Sequence, residues 1–168
     1  IYRANLSSNS IIGNLSKFRT DANSTLIYVD GDRYFNQNEN RTGISVVSFV
    51  YNGTEILNFT HDFSIAPLNL TSFDLILESN PINYIIVKNL NIIGSKTLTL
   101  RDVSGVHGLC YFNSEVSDVT ELIDRCFDIN CPGSRGGVSC STRGSTFIVK
   151  GLSHSGVLQH NELIYINN

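Results

Sequence analysis

Seven asparagines carry the plainest chemistry in the chain. Asn5, Asn14, Asn23, Asn40, Asn52, Asn58 and Asn69 are each followed two places on by Ser or Thr, with no proline between. That spacing is the acceptor sequence for N-linked glycosylation, in which the side-chain amide takes a sugar. The sites are seven of the first ten asparagines, and none of the nine later ones stands in such a sequence. Residues 71–168 have a similar composition, so chance does not explain the imbalance. An acceptor must be exposed and must pass through a secretory or cell-surface pathway. The expected location is therefore extracellular, at the cell surface.

Cys110, Cys126, Cys131 and Cys140 are the second reactive group, with 15, 4 and 8 residues between successive members. An even number in a secreted chain reads as two disulfides. Zinc usually wants short Cys-x2-Cys pairs, which are absent here. Three pairings are open. Cys110–Cys126 with Cys131–Cys140 is favoured, because the second bond would close a loop over 132–137 with little bulk to hold itself.

Other reactive residues do not combine. Ser153-His154-Ser155 lacks the Gly-x-Ser-x-Gly elbow, and neighbours in sequence are not a base facing a nucleophile. His154 is expected on a nearby backbone carbonyl. His107 lies three residues before Cys110, but a paired cysteine is no nucleophile. Asp30 and Asp32, with Asp62 or Asp74, have oxygens for calcium; a turn at Asp30-Gly31 explains the pair better. Residues 133–137 are not a phosphate loop, since no Lys and no helix come after them. The expectation is a protein that is not an enzyme, with no catalytic or metal residue and no cofactor beyond N-linked glycans.

The elements that position these residues read as β throughout. Thr25–Val29 and Ile44–Tyr51 are each followed by Asp-Gly or Asn-Gly and a second apolar run, the mark of two-residue hairpins. Further strands are expected at 73–78, 84–88, 91–93, 97–101, 109–112, 138–141, 146–150 and 163–166. Only 116–123 has helical spacing. Many short strands at regular spacing predict an all-β, immunoglobulin-like or pilin-like β-sandwich, with a disulfide-stapled C-terminal part.

Composition agrees. The chain has 168 residues, enough for one domain, and only 16% are charged against about 25% in ordinary soluble domains. A net charge of −3 gives no basic footprint for nucleic acid. No apolar run reaches the roughly 20 residues that span a bilayer. The chain lacks Met even at position 1, so Ile1 reads as a processed start after a removed signal peptide.

Residues 1–12 alternate, with Tyr2, Ala4 and Leu6 on one side and Arg3, Asn5 and Ser7 on the other. No hairpin turn ties this strand to the next one. It can pair in its own sheet or be donated to a neighbour's. The domain reading is a candidate donor strand at 1–12 and one sandwich over 13–168, with Leu163–Ile166 as a second candidate donor.

Residues 108–112, 114–119, Cys126, 131–133, 137–140 and 151–157 together are similar to a four-cysteine β-module of archaeal surface proteins. The whole chain also resembles archaeal glycosylated cell-surface filament subunits, the thread-like and donor-strand pili. That likeness lies in its processed start, loose first strand, dense acceptor sites and sandwich-sized body. The plain acceptor sequence fits, since only Asn23, with Asp21 before it, has the bacterial acidic extension. The resemblance implies a structural subunit of an extracellular filament that joins copies of itself head to tail by strand donation. Tyr2, Ala4 and Leu6 would form the subunit interface. The alternative is a monomeric adhesin or carbohydrate-binding β-domain whose groove lies in the acceptor-free half, with other cells or surfaces as partners.

Overall fold

The computed structural model describes residues 11–13, 25–34, 41–79, 82–105, 107–154 and 156–159. Among the described residues the chain is mostly β with one short helix, and its C-terminal part carries two disulfides. Its residues group into two compact units, 1–73 with 91–94, and 74–90 with 95–168. The sequence reading drew no boundary inside 13–168.

The first unit holds β1 (Ile11–Ile12), β2 (Thr25–Val29), β3 (Asp32–Arg33), β4 (Ile44–Tyr51), β5 (Thr54–Asp62) and β6 (Leu68–Asn69). Its main antiparallel ladder runs β5-β4-β2-β3. Both expected hairpin turns are present. Asp30 and Gly31 have φ of 52° and 86°, and Asn52 and Gly53 have 51° and 76°. These left-handed values match the right-handed strand twist, and Asn, Asp and Gly adopt them at least cost. On β4 the alternation turns Val47 and Phe49 inward and leaves Ile44 and Val46 exposed. Phe49 packs 5.0 Å from Phe73 and 6.2 Å from Phe59, giving this unit an aromatic core.

The second unit holds β7 (Asp74–Glu78), β8 (Tyr84–Lys88), β9 (Lys96–Arg101), β10 (Gly108–Phe112), α1 (Val119–Arg125), β11 (Phe127–Asn130), β12 (Gly133–Arg135), β13 (Val138–Arg143), β14 (Thr146–Leu152) and β15 (Gly156–Gln159). One sheet runs β11-β10-β15-β8-β7, and a second ladder runs β12-β13-β14-β9. All their pairs are antiparallel. The chain switches repeatedly between the two, in a sandwich-like arrangement. Leu98, Leu100, Phe147 and Val149 of one ladder, and Ile85, Leu109 and Val157 of the other, are buried.

The helix α1 covers part of the five-stranded sheet. The Asp118 carboxylate accepts from the Glu121 N–H at 3.0 Å, and Glu121 accepts from the Ser117 N–H at 2.8 Å, which caps its start. Leu122 is fully buried in a cluster with Ile86, Cys110, Val116 and Leu158. Gly156 leaves room for it, since a Cβ there would stand 2.8 Å from Leu122 Cδ1.

Several element expectations are corrected. Residues 91–93 form no strand. The helix begins at Val119, because Asp118 stops the turn before it. The stretch 132–137 is no loop: β12 and β13 form a hairpin around Gly136-Gly137, with Gly133 opposite Cys140. Strand β1 falls at the end of the strand expected over 1–12, whereas β6, β11, β12 and β15 were not expected, being short or rich in Gly and polar residues.

Candidate functional site

Three of the seven acceptor asparagines fall on described residues, and all three belong to the first unit. Asn52 sits exposed at the tip of the β4–β5 hairpin, and Thr54 beyond it is exposed too. Asn69 is exposed, and its Oδ1 accepts from the Thr71 N–H at 2.9 Å. Asn58 is half-buried mid-strand on β5, and its Nδ2 donates to the Glu55 carboxylate. Asn5, Asn14, Asn23 and Asn40 lie outside the described residues, but they fall in the same unit by sequence. The structural boundary at 73/74 therefore lies just after the last acceptor, Asn69. The second unit contains none.

Cysteine pairing follows the favoured assignment. Cys110 joins Cys126, with their Cα atoms 5.3 Å apart, and Cys131 joins Cys140 at 5.1 Å. The first bond ties β10 to the end of α1. The second closes the β12–β13 hairpin.

Residues 1–10, with Tyr2, Ala4 and Leu6, and Leu163–Ile166 lie outside the described residues. The end of the candidate donor strand is described, and it is anchored in its own chain. Ile11 is fully buried and pairs in parallel with Leu68. Its N–H donates to the Tyr34 hydroxyl at 3.3 Å, and the Leu70 N–H donates to the Ile12 carbonyl at 2.7 Å. Gly13 comes next at a φ of 143°, where a Cβ would stand 3.0 Å from the Leu70 carbonyl carbon. Any free arm therefore ends at residue 10.

In the second unit, β7 is an edge. Among the described residues it pairs with β8 alone. Leu75, Ile76 and Leu77 at its centre are half-buried, and Asp74 and Glu78 at its ends are exposed. An edge of this kind presents unpaired N–H and C=O groups and is a template for another strand. The edges β3, with two charged residues, and β12, Gly-Ser-Arg, are shorter and wholly exposed.

The histidines and carboxylates take places of their own. His107 faces Asp102 at 3.7 Å and meets the Phe147 ring edge-on. Asp102 Oδ1 accepts from Gln159 Nε2 at 2.7 Å and from the Gly105 N–H at 2.8 Å. Gln159 in turn accepts from Asn83 Nδ2 at 2.7 Å and from the Val103 N–H at 3.1 Å. Burial pushes the Asp102 carboxyl up, but these donors and His107 outweigh it and hold it below 3.8. Asp30 Oδ1 accepts from the Val46 N–H at 2.8 Å, which lowers its pKa. This bond ties the β2–β3 turn to β4. Among the described residues no three His, Cys, Asp or Glu side chains gather as metal ligands.

Among the described residues the His154 ring meets a carboxylate rather than the carbonyl expected from sequence: its Nδ1 lies 3.8 Å from Glu115 Oε1. The Ser-His turn is held instead by Asn113, whose Oδ1 accepts from the backbone N–H groups of Ser153 and His154, each at 2.8 Å. Sequence reasoning missed this asparagine and two further features: the Asp102–Gln159–Asn83 network and the buried Lys96. Parity would have found the lysine, since Lys96, Leu98 and Leu100 share one face of β9.

Among the described residues no helix is long and apolar enough to cross a membrane. Two disulfides fit an oxidising, extracellular compartment. Compared with known proteins, the chain matches no family model, no curated sequence and no solved structure.

Proposed function

We propose that the chain is a structural subunit of an extracellular, N-glycosylated surface filament that polymerises head to tail by strand donation. The observation that carries this reading is the open edge of β7, five residues long with an apolar centre. The donated segment is 1–10, running up to the anchor at Ile11. Tyr2, Ala4 and Leu6 supply one apolar face, and Arg3, the only cation in 1–10, suits the acidic ends of β7, Asp74 and Glu78. Main-chain ladder bonds give such a contact its continuity, and alternate side chains give it register. A contact of one surface with a different one repeats without closing and builds a filament.

The glycan acceptors fit this division of labour. All seven belong to the first unit, and the β7 edge belongs to the acceptor-free second unit. Asn5 alone lies in the donated segment, on the side opposite Tyr2, Ala4 and Leu6, so its sugar would face outward from the joint while the other six coat the filament.

Deletion of residues 1–8 tests the reading. The shortened chain is expected to stay folded, with an unchanged circular dichroism spectrum, and to remain monomeric where the full chain forms fibres. Fibres from the shortened chain would refute strand donation. A full chain that stays monomeric under all conditions would favour a surface-binding domain instead.

A further inference from the structure

The five-stranded sheet ends in β7 on one side and β11 on the other. At the β11 side, the Cys131 N–H donates to the His107 carbonyl at 3.0 Å, one step beyond the Gly108–Asn130 pair of the β10–β11 ladder. Bonded and non-bonded pairs alternate along an antiparallel ladder. Leu109–Ile129 is then a bonded pair, and Gly108–Asn130 and Cys110–Asp128 are not. The peptide groups of Asp128 and Asn130 therefore point away from β10, toward the place a further strand would take.

Residues of β12 stand in that place. Arg135 Nη1 donates to the Asp128 carbonyl at 2.9 Å, and its guanidinium lies 5.2 Å from the centre of the exposed Phe127 ring. The Arg135 carbonyl accepts from the Tyr111 hydroxyl at 2.8 Å, so this residue is tied to β10 as well as β11. Gly133 comes so close to the Asn130 carbonyl oxygen that a Cβ would stand 2.5 Å from it. The Cys131–Cys140 disulfide and the ladder with β13 hold β12 there. The opposite edge is different. The Gln159 N–H donates to the Asn83 carbonyl at 2.8 Å, one step beyond the Tyr84–Leu158 pair of the β8–β15 ladder. By the same alternation Tyr84 and Ile86 turn their peptide groups to β7, and Leu75 and Leu77 turn theirs outward. Among the described residues these outward groups have no hydrogen-bond partner.

We propose that this sheet takes a strand from another copy of the chain at β7 alone, because Arg135 shuts the β11 edge. Exposed peptide groups on an edge are a template for any extended chain, and a charged side chain or a covering segment closes such an edge. Arg135 does both at Asp128: it occupies the carbonyl and lays a cation over Phe127. Gly133 leaves no space at Asn130. The wrong contact is excluded, which gives specificity without adding affinity to the right one. With one acceptor edge per copy, a donated strand builds a single file of subunits. A second acceptor edge would let copies branch or close into pairs. That consequence rests on the filament reading, whereas the closure of β11 does not.

Hydrogen exchange of the full chain, read to single residues at low and high protein concentration, tests it. In the unaltered chain the Asp128 and Asn130 amides are expected to exchange at a rate independent of concentration. Arg135→Met keeps the length of the side chain and removes its donors and charge. In this variant the same amides are expected to slow by about tenfold as concentration rises, because β11 then takes a strand from a second copy. Arg135→Lys restores a cation and a donor and is expected to behave as the unaltered chain. Amides of 84–88 should stay protected in each variant, which shows the sheet intact. The filament reading is read separately at Leu75 and Leu77. Their amides slow with concentration in every variant if β7 is the joint, and constant rates there would sink that reading while leaving the β11 result standing. Two results would overturn the closure of β11: concentration-dependent slowing at Asp128 and Asn130 in the unaltered chain, or its absence in both Arg135→Met and the double variant Arg135→Met with Tyr111→Phe.

Discussion

Gly94 and Gly151 share a φ of 95° but not a neighbourhood. A Cβ at Gly94 would meet nothing within 4 Å, whereas one at Gly151 would fall 2.4 Å from the Gly137 carbonyl oxygen. Gly151 sits at the β14 bulge, where the register slips between Lys150 and Leu152, so the backbone of β13 crowds it. Gly94→Ala is expected to cost about 1 kcal/mol, from left-handed strain alone. Gly151→Ala is expected to cost at least about 3 kcal/mol, since strain and a backbone collision add. Urea melts of the two variants isolate the collision, and equal losses would contradict the close approach. Asp102 supports a second prediction at this scale. Its folded pKa lies below the ordinary 3.8, so its stabilisation is present above that value. It is lost as pH falls through the lowered folded pKa. Asp102→Asn is expected to cost about 1.5–3 kcal/mol at neutral pH, through weaker bonds to Gln159 and Gly105, and to flatten the acid limb of the stability curve. An unchanged acid limb would show that the network does not depend on the charge.

Elements were legible wherever local chemistry decides them. The Asp30-Gly31 and Asn52-Gly53 turns are set by two residues each, because left-handed φ at both positions has few solutions. The strands at Ile44–Tyr51 and Tyr84–Lys88 are set by apolar runs of strand length. Strand β12, Gly-Ser-Arg, has no propensity of its own; it pairs because Cys131–Cys140 and the Gly136-Gly137 turn hold it against β13. Reduction of that disulfide is therefore expected to release this hairpin first, at a cost of about 2–3 kcal/mol for so short a loop. Hydrogen exchange checks this: amides of 133–140 should lose protection in reductant before those of 84–88. Equal loss across both strands would assign β12 to the sandwich rather than to its staple. The candidate site was less legible. Acceptor sequences are local and can be read directly. The β7 edge exists only through sheet order, which pairs β8 with β15, some 70 residues away. Asn113 was missed for the same reason, since its partners Ser153 and His154 lie 40 and 41 residues away.

At the scale of the molecule, chemistry is divided between two units. One holds every acceptor sequence, and the other holds both disulfides, the open edge and the buried lysine. Glycopeptide mapping of cell-derived protein is expected to find sugar at Asn52 and Asn69 and less at Asn58, whose amide is half-buried and bonded to Glu55. Unmodified asparagines throughout would remove the glycan coat from the account. In the proposed filament, copies of this chain are joined through β7. This joint is tested most directly by electron microscopy of cell-derived material at a resolution that traces the chain. The expected result is fibres in which residues 1–10 of one copy extend the five-stranded sheet of the next along Asp74–Glu78. Discrete particles, or fibres in which β7 carries no added strand, would contradict it.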